Sequence, residues 1–453
     1  MNAKVKDMTT GKPLSLIIFF SLPLMLGNVF QQLYTVVDTM VVGKALGVDA
    51  LAALGATDWL YWLMLGMIQG LAQGFGIRMA REFGAKQFES LRRIVGSSAV
   101  LAAVCSAVLL ILGQVIARPT LLVLNTPDEI MGNSLTYLRI MFFGIPIVMV
   151  YNLLACVLRS LGDGQTPLMA MIVAALTNIF LDILFVLVFH WGIAGAAAAS
   201  LAAQTVSGIF CFQKIKRIPF MKLNSGHFRV NLDNAKQQLS LGSTIAFQNA
   251  IIAIGGMIIQ SVVNGYGVAF IAGFTATNKL YGMLEIAASS YGYAMITYVG
   301  QNLGAGKIDR IRSGVRCANI VALITSMFIA AVMLLLGRQI VGLFLSGTPE
   351  EVMKATTVGY QYLATMSLCL PILYILYVVR AAIQGMGDTV LPMISAIAEF
   401  IMRTGGVFLL PAIMGEIGIF IAEVLAWAGA DIILIPSYYI SIRRISNTDK
   451  SRK

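Results

Sequence analysis

The chain has 453 residues, of which 58% are apolar and only 12% charged, with a mean hydropathy of +0.83 and a net charge of +11. A soluble protein of this length needs far more surface charge, so the composition excludes that class, and with it the nucleic-acid partner that a basic soluble chain would suggest. The five cysteines lie in or at the ends of apolar segments without a CxxC pair, which disfavours a disulfide framework or a zinc site.

Twelve apolar segments follow one another along the chain, and most exceed the roughly 20 residues that a helix needs to cross a bilayer. In lipid every backbone polar group must be satisfied within its own element, so these segments are predicted to be helices. Pro23, Pro146 and Pro371 lie inside spans and are expected to bend them. The predicted spans are 14–43, 51–77, 95–117, 131–158, 168–190, 192–213, 239–263, 270–300, 315–337, 355–385, 390–413 and 416–440.

Lysine and arginine are distributed unevenly between the loops. When the N-terminus is placed in the cytoplasm and the loops alternate, 25 of the 32 basic residues, Arg380 among them, fall on the cytoplasmic side and four fall outside. Because basic loops stay in the cytoplasm, this bias predicts a multi-pass protein of the cell membrane with both termini cytoplasmic. The short polar start, residues 1–12, is expected to be a tail and not a cleaved signal peptide. Arg139, Lys279 and Arg403 remain within spans.

The two halves of the chain share one plan, because motifs of the first half return in the second at offsets of 220 to 225 residues. Each half carries six spans, an even number, so both halves face the same way. This predicts an all-α transmembrane protein whose twelve helices form two parallel six-helix repeats, related by a pseudo-two-fold axis along the membrane normal. We predict an N-lobe at 1–213, a basic cytoplasmic connector at 214–238 and a C-lobe at 239–453. The recurring motifs are Thr126–Met131 and Thr348–Met353, Pro146 and Pro371, Gly162-Asp163 and Gly387-Asp388, and Gly84-Ala85-Lys86 and Gly304-Ala305-Gly306.

Polar side chains at one depth of the N-lobe predict a cation site. Asp38 lies about 9 Å from the outer end of span one, and Asp182 in span five and Ser200 in span six lie about 12 Å deep. Asn178 precedes Asp182 by one helical turn and shares its face. Carboxylate, amide and hydroxyl oxygens suit a hard monovalent cation such as Na⁺, and close carboxylates also suit a proton. The alternative is that both carboxyl groups bond only backbone or water.

Other polar residues within the spans predict contacts for a substrate. Gln31 and Tyr34 lie on the same face of span one as the carboxylate of that span. Glu285 in span eight could contact a cationic drug or pair with a neighbouring span. Glu399 and Arg403 lie one turn apart on span eleven, where they form either a self-neutralising ion pair or a substrate contact.

Motifs along nearly the whole chain resemble the multidrug and toxic compound extrusion (MATE) family, of the multidrug/oligosaccharidyl-lipid/polysaccharide superfamily. No single motif would suffice, but the set together is specific. The motifs are Gln31-Gln32-Leu33-Tyr34 and Val37-Asp38-Thr39 in span one, Arg159–Pro167 after span four, Gly300–Gly306 after span eight, and Gln384–Thr389 after span ten.

The resemblance implies a twelve-span antiporter that uses H⁺ or Na⁺ to export amphipathic, often cationic drugs or toxic compounds by alternating access. The family's N-lobe site has an Asp in span one, an Asn and an Asp in span five and a hydroxyl in span six. Asp38, Asn178 and Asp182 match this pattern well, and Ser200 stands where relatives often have Thr. One branch of the family also has acids in spans seven and ten, which this chain lacks at residues 247–249 and 371–384. Coupling through the N-lobe is therefore favoured.

Two other functions stay open. A lipid-linked oligosaccharide flippase has the same two-lobe plan, although it usually needs a more basic cavity; a channel or receptor is the second alternative. The chain has no P-loop, GxSxG or HExxH motif, so we expect neither an enzyme nor a cofactor. The expected partners are membrane lipids and drug-like small molecules, with no nucleic acid, and we expect a monomer.

Overall fold

A computed structural model describes residues 5–124, 126–345 and 348–450, and within these ranges the chain is helical, without β-strands. Parts of the predicted tails, residues 1–4 and 451–453, lie outside the described residues. The all-α fold predicted from the sequence is confirmed. The first half contains α1 (Pro13–Leu46), α2 (Val48–Gly84), α3 (Phe88–Val123), α4 (Asp128–Phe143), α5 (Ile145–Ser160), α6 (Gln165–Asp182), a π-helix (Ile183–Val188) and α7 (Gly192–Lys216). The second half contains α8 (Leu232–Val263), α9 (Val268–Gly304), α10 (Ile308–Gly342), α11 (Pro349–Gly385), α12 (Val390–Leu409), α13 (Pro411–Met414) and α14 (Ile417–Lys450).

Most of these helices can cross a bilayer. In the described ranges, ten are long and apolar enough on their own, and α4 with α5 makes an eleventh span that is bent by 48°. The bend lies beside Pro146, as predicted, whereas Pro23 and Pro371 lie inside the continuous helices α1 and α11, where bending stays a prediction. The remaining predicted span, the eighth at 270–300, corresponds to α9, which has 37 residues but includes Lys279 and Glu285, and these lower its apolar character. Each of the twelve predicted spans therefore corresponds to a helical segment.

The turn after α2 and the turn after α9 have the same backbone geometry. Lys86 and Gly306 occupy the matching position with φ of 59° and 67°, the left-handed region. Such a residue, followed by a hydrogen bond that spans six residues, is a common way to end a helix. The sequence repeat at an offset of 220 residues is thus also a structural repeat. The six-residue hydrogen bonds run from Gln87 N–H to the Glu82 carbonyl oxygen (3.0 Å) and from Lys307 N–H to the Asn302 carbonyl oxygen (2.9 Å).

The turns before α6 and α12 are a second matched pair. Gly162 and Gly387 have φ of 78° and 91°, which glycine adopts without steric cost. The carboxylate that follows each glycine accepts hydrogen bonds from the first backbone N–H groups of the next helix. Asp163 and Asp388 are therefore structural residues that fix where these two helices begin. The accepted bonds come from Gln165 (3.0 Å) and Thr166 (2.9 Å) at Asp163, and from Val390 (3.1 Å) and Leu391 (3.2 Å) at Asp388.

The chain forms two compact units. The N-unit contains the described residues of Met1–Thr10 and Leu22–Ala250, and the C-unit contains those of Gly11–Ser21 and Ile251–Lys453. Both α1 and α8 therefore contribute residues to the two units. The lobe boundaries predicted at 213 and 239 follow the order of the spans and stay a prediction.

Within the N-unit, α2 and the first part of α8 pack with their backbones close together. A Cβ added at Gly74 would lie 2.4 Å from the Gly242 Cα atom, and one at Gly70 would lie 2.5 Å from the Ala246 nitrogen. Only glycine permits this approach. The predicted connector is also folded onto this unit, because buried His227 contacts Glu89 of α3 through Nε2 at 3.2 Å.

Candidate functional site

Two buried carboxyl groups from different helices lie together in the N-unit. Asp38 of α1 is 9% exposed, Asp182 at the end of α6 is fully buried, and their carboxyl groups interact directly. Asp38 Oδ1 and both oxygens of Asp182 have no hydrogen-bond partner in the described structure. Because buried oxygens without a partner are costly, this pair is suited to hold a proton or a small cation.

Asn178 of α6 and Ser200 of α7 are the other two predicted ligands of the cation site. Asn178 is 1% exposed, and its Nδ2 donates a hydrogen bond to Ser200 Oγ at 3.4 Å. Its Oδ1 atom has no partner among the described residues and lies one turn before Asp182. The structure thus places Asn178 beside Ser200 and Asp38 beside Asp182, and carboxylate, amide and hydroxyl oxygens are the ligand types that suit a hard monovalent cation. Cation binding by these residues stays a prediction.

The helical register of α6 changes directly after Asp182. Residues Ile183–Val188 form a π-helix, and His190 follows with a φ of 54°. π-Helical turns are rare and often lie at functional sites, because they change the direction of the side chains beside them. No sequence motif indicated this feature.

A cavity in the N-unit adjoins the carboxylate pair. Gln31 and Tyr34, predicted as substrate contacts, line it together with Ser200, which was predicted as a cation ligand. Tyr34 interacts electrostatically with both Asp38 and Asp182. The sequence analysis missed other lining residues, although those on α7 recur at helical spacing and could have been found from that pattern. The remaining lining residues are Tyr151, Met171, Ala174, Ala203, Gln204 and Ser207.

The C-unit contains a buried network of ion pairs. Arg403 contacts Glu399 at 2.9 Å, which confirms the predicted pair, and it also contacts Glu423 of α14 at 3.0 Å. Arg380 of α11 contacts the other oxygen of Glu399 at 2.7 Å. The predicted span 355–385 includes Arg380, yet the count of basic residues assigned it to the cytoplasmic side; this assignment was wrong, because α11 buries the side chain against Glu399. The network connects α11, α12 and α14, and its role toward a substrate stays a prediction.

Glu285 of α9 lies near this network. Its carboxyl group accepts a hydrogen bond from the Tyr377 hydroxyl and interacts electrostatically with Arg403 and Glu423. Lys279, six positions earlier on the helix, is exposed, so the two charges face different sides as expected. Of the predicted substrate contacts, Glu285, Glu399 and Arg403 therefore lie together in the C-unit, whereas Gln31 and Tyr34 belong to the N-unit.

Comparison with known sequences gives full-length matches. The sequence profile of the MatE family matches residues 23–184 and 244–426. The chain is 30% identical over 420 residues to the probable multidrug resistance protein YpnP of Bacillus subtilis, covering 92% of each chain. It is 24% identical over 388 residues to the probable multidrug resistance protein NorM of Thermotoga maritima, covering 83% of this chain and 81% of the relative. The multidrug export protein MepA of Staphylococcus saprophyticus is 21% identical over 418 residues, with 90% and 88% covered.

Solved structures share the fold over the whole chain. One is an outward-facing multidrug resistance MATE family transporter of the MOP superfamily, with a TM-score of 0.90 and 21% identity over 99% of this chain and 100% of that one. Another is a MOP superfamily transporter from Pyrococcus furiosus, described as having a binding pocket of reverse polarity, with a TM-score of 0.90 and 22% identity over 98% and 99% of the chains. These likenesses show the two-repeat helical fold.

Proposed function

Because the chain belongs to the MATE family of multidrug efflux transporters, we propose that it is an antiporter that exchanges H⁺ or Na⁺ for amphipathic, often cationic drugs or toxic compounds. The observation that carries this proposal is the contact between Asp38 and Asp182, with three buried oxygens that lack a hydrogen-bond partner among the residues that the structure describes. Two ionised carboxylates in contact repel each other strongly where water is excluded, so a proton or Na⁺ stabilises the pair.

The cavity beside the pair supports coupling between the cation and the cargo. Tyr34 lines the cavity and also interacts with both carboxyl groups, so a molecule in the cavity changes the surroundings of the cation. We propose that cargo occupies the cavity when the cation is absent, and that cation entry favours cargo release as access alternates. Both steps need the cation and the cargo to affect each other's binding. Tyr34, which lines the cavity and interacts electrostatically with the carboxylate pair, provides this link.

Dye transport into or out of proteoliposomes under an imposed Na⁺ or pH gradient tests the proposal. We expect ethidium movement to follow one of the two gradients in the wild type and to be abolished in Asp38→Asn and Asp182→Asn. Asp49→Asn makes the same chemical change at an exposed position and serves as the matched control. Dye movement that ignores both gradients would defeat the antiport mechanism, and full activity of either buried variant would exclude this site.

The arrangement of basic residues gives no support to the flippase alternative. A pyrophosphate-linked lipid needs unpaired cationic side chains, but the buried Arg380 and Arg403 are both paired with carboxylates, and Arg139 and Lys279 are exposed. A pyrophosphate-lipid flipping assay with the purified chain separates the two functions.

Orientation and assembly are part of the proposal. With Arg380 set aside, 24 basic residues are assigned to cytoplasmic loops against four outside, which supports a cell-membrane orientation with both termini inside. We propose that the protein acts as a monomer. Protease accessibility of terminal tags in sealed vesicles of known orientation tests the topology. Cleavage of either tag from the outer side of the membrane would contradict it.

A further inference from the structure

Two helical elements of the N-unit present the same order of side chains around the carboxylate pair. On α1, Tyr34 lines the cavity, Asp38 follows at the fourth position, and Val42 follows at the fourth position after that. On α6 and the π-helix, Asp182 is likewise followed at the fourth position by Val186. Residues four apart share a helix face, so each carboxyl group has a valine one turn farther along its helix. The two valines are 0% and 1% exposed.

Helix α7 follows the π-helix and shows the same order in reverse. Gln204 lines the cavity, Ser200 contacts Asn178 at the level of the carboxylate pair, and Ala196 lies nearer the start of the helix. Each of these α7 residues is four positions from the next, which is about 6 Å along the axis. The three helices therefore share a cavity level, a polar level and an apolar level.

The side chains of the apolar level form one packed cluster, which we call the apolar seal. Val42 and Val186 belong to it together with Ile193 and Ala196 of α7. Tyr137 of α4 packs against the seal and also interacts electrostatically with Asp38, so it lies at the boundary between the apolar and the polar level. The other buried members come from α2 and α4 and are Ala50, Ala53, Leu54 and Ile130.

The seal lies close to the ends of the helices that carry it. Helix α1 ends at Leu46 and the π-helix at Val188, each within about one turn of the valine in the seal. These ends are predicted to face the outer side of the membrane. A closely packed apolar constriction excludes water and therefore stops ions. Without the seal, water from the outer side would reach the carboxylate pair and give a cation a path past it without any exchange for cargo.

We propose that the apolar seal is an ion barrier, which closes the carboxylate pair toward the ends of α1 and the π-helix and prevents uncoupled leak of H⁺ or Na⁺. Val42 and Val186 are its central residues, because each lies directly beyond one of the two carboxyl groups. The inference deepens the proposed antiport function and rests on it in one respect, namely that the carboxylate pair carries the coupling ion.

Ion leak in the absence of cargo tests the barrier. The purified full chain is placed in proteoliposomes without dye, and a pH or Na⁺ gradient is imposed; internal pyranine reports H⁺ entry, and radioactive Na⁺ reports Na⁺ entry. Val42→Thr with Val186→Thr adds hydroxyl groups with little change of shape. We expect this double variant to raise the leak of one of the two ions at least about fivefold, because hydroxyl groups let water enter the constriction. A double variant as tight as the wild type would overturn the proposal.

Val36→Thr with Val188→Thr is the matched control, since it makes the same change at exposed positions of α1 and the π-helix. It should alter the leak less than about twofold, because neither side chain belongs to the seal. An equal leak in the control and in the buried double variant would exclude a barrier at Val42 and Val186.

A single variant covers the case in which the buried double variant fails to fold. Val186→Thr alone should raise the leak at least about twofold, and a threonine hydroxyl in a helix can donate to the carbonyl four residues earlier, so the protein is expected to fold. Wild-type tightness of this variant would also overturn the proposal. Ethidium movement that ignores both gradients would defeat the antiport function and leave the leak comparison intact, because no dye is present in it.

Discussion

Replacing Glu399 by Gln is expected to destabilise the protein more than replacing Glu423 by Gln. The Glu399 carboxylate, 5% exposed, accepts from Arg380 at 2.7 Å and from Arg403 at 2.9 Å, so it is a direct partner of two buried guanidinium groups. Without it, Arg380 keeps a long contact with Ser395 Oγ at 3.5 Å and the attraction of Asp431. In Glu423→Gln, by contrast, Arg403 keeps its contact with Glu399.

The magnitudes follow from these contacts. Removing one partner of a buried ion pair costs about 3–5 kcal/mol, because a charge is left buried without compensation. We expect a loss in this range for Glu399→Gln. Loss of one charged hydrogen bond while the other remains costs about 1.5–3 kcal/mol, which we expect for Glu423→Gln. The double variant Arg380→Gln with Glu399→Gln removes one charge of each sign and should be less destabilised than Glu399→Gln alone.

Unfolding of the purified chain with increasing mole fraction of sodium dodecyl sulfate gives the free energies of unfolding. Glu350→Gln is the matched control, since it breaks an exposed pair with Lys354 at 2.8 Å and should cost at most about 1 kcal/mol. A loss of stability in Glu399→Gln no greater than in this control, or a larger loss in Glu423→Gln than in Glu399→Gln, would contradict the role of Glu399 as the partner of both arginines.

Two further predictions use the same unfolding measurement. Lys86→Gly should raise the free energy of unfolding by about 1 kcal/mol, since glycine adopts the left-handed backbone without strain, and Gly306→Ala at the matching turn should lower it by about the same amount. Gly74→Ala should cost about 1–3 kcal/mol because its Cβ would lie 2.4 Å from the backbone of α8, whereas Gly55→Ala in the same helix meets no atom within 4 Å and should stabilise by about 0.5–1 kcal/mol. Each pair is predicted to show changes of opposite sign, so two changes of the same sign within a pair would contradict the corresponding geometry.

Much of the fold could be predicted because each of its determinants is local. Apolar length alone predicts a spanning helix, and the repeated Gly-Asp motif marks where Asp163 and Asp388 begin the next helix. The contact between Asp38 and Asp182 could also be predicted, since both are acids in apolar surroundings and lie at similar depths. Helix ends were less predictable: the third span, predicted at 95–117, is helical from Phe88 to Val123. Hydropathy detects the part of a helix in lipid, whereas the helix itself ends at a turn.

The C-unit network could not be derived in the same way, because it depends on which helices are neighbours. Glu399 and Arg403 lie on one helix and were predicted as a pair, but Glu423 and Arg380 reach them from α14 and α11. Arg380 also lies near the end of its span, and counting the basic residues of each loop assigned it to the cytoplasmic side. A side chain of this type is placed correctly only when the partner that neutralises it is known, and the single sequence does not show that packing.

The repeat also explains why the two units differ in chemistry. Helices α6 and α12 begin 225 residues apart, and residues separated by the same offset occupy matching positions on the two helices. The aligned residues are Ala174 and Glu399, Asn178 and Arg403, and Asp182 and Val407. In the N-unit this face ends in the Asp182 carboxylate, which has no hydrogen-bond partner in the described part of the chain and needs a cation from outside the protein. In the C-unit the apolar side chain of Val407 lies at the position that matches Asp182. Arg403, one turn earlier, and Glu399, two turns earlier, form an ion pair. Cation coupling through this helix face is therefore expected from α6 and not from α12, even though both helices share one fold and one way of beginning.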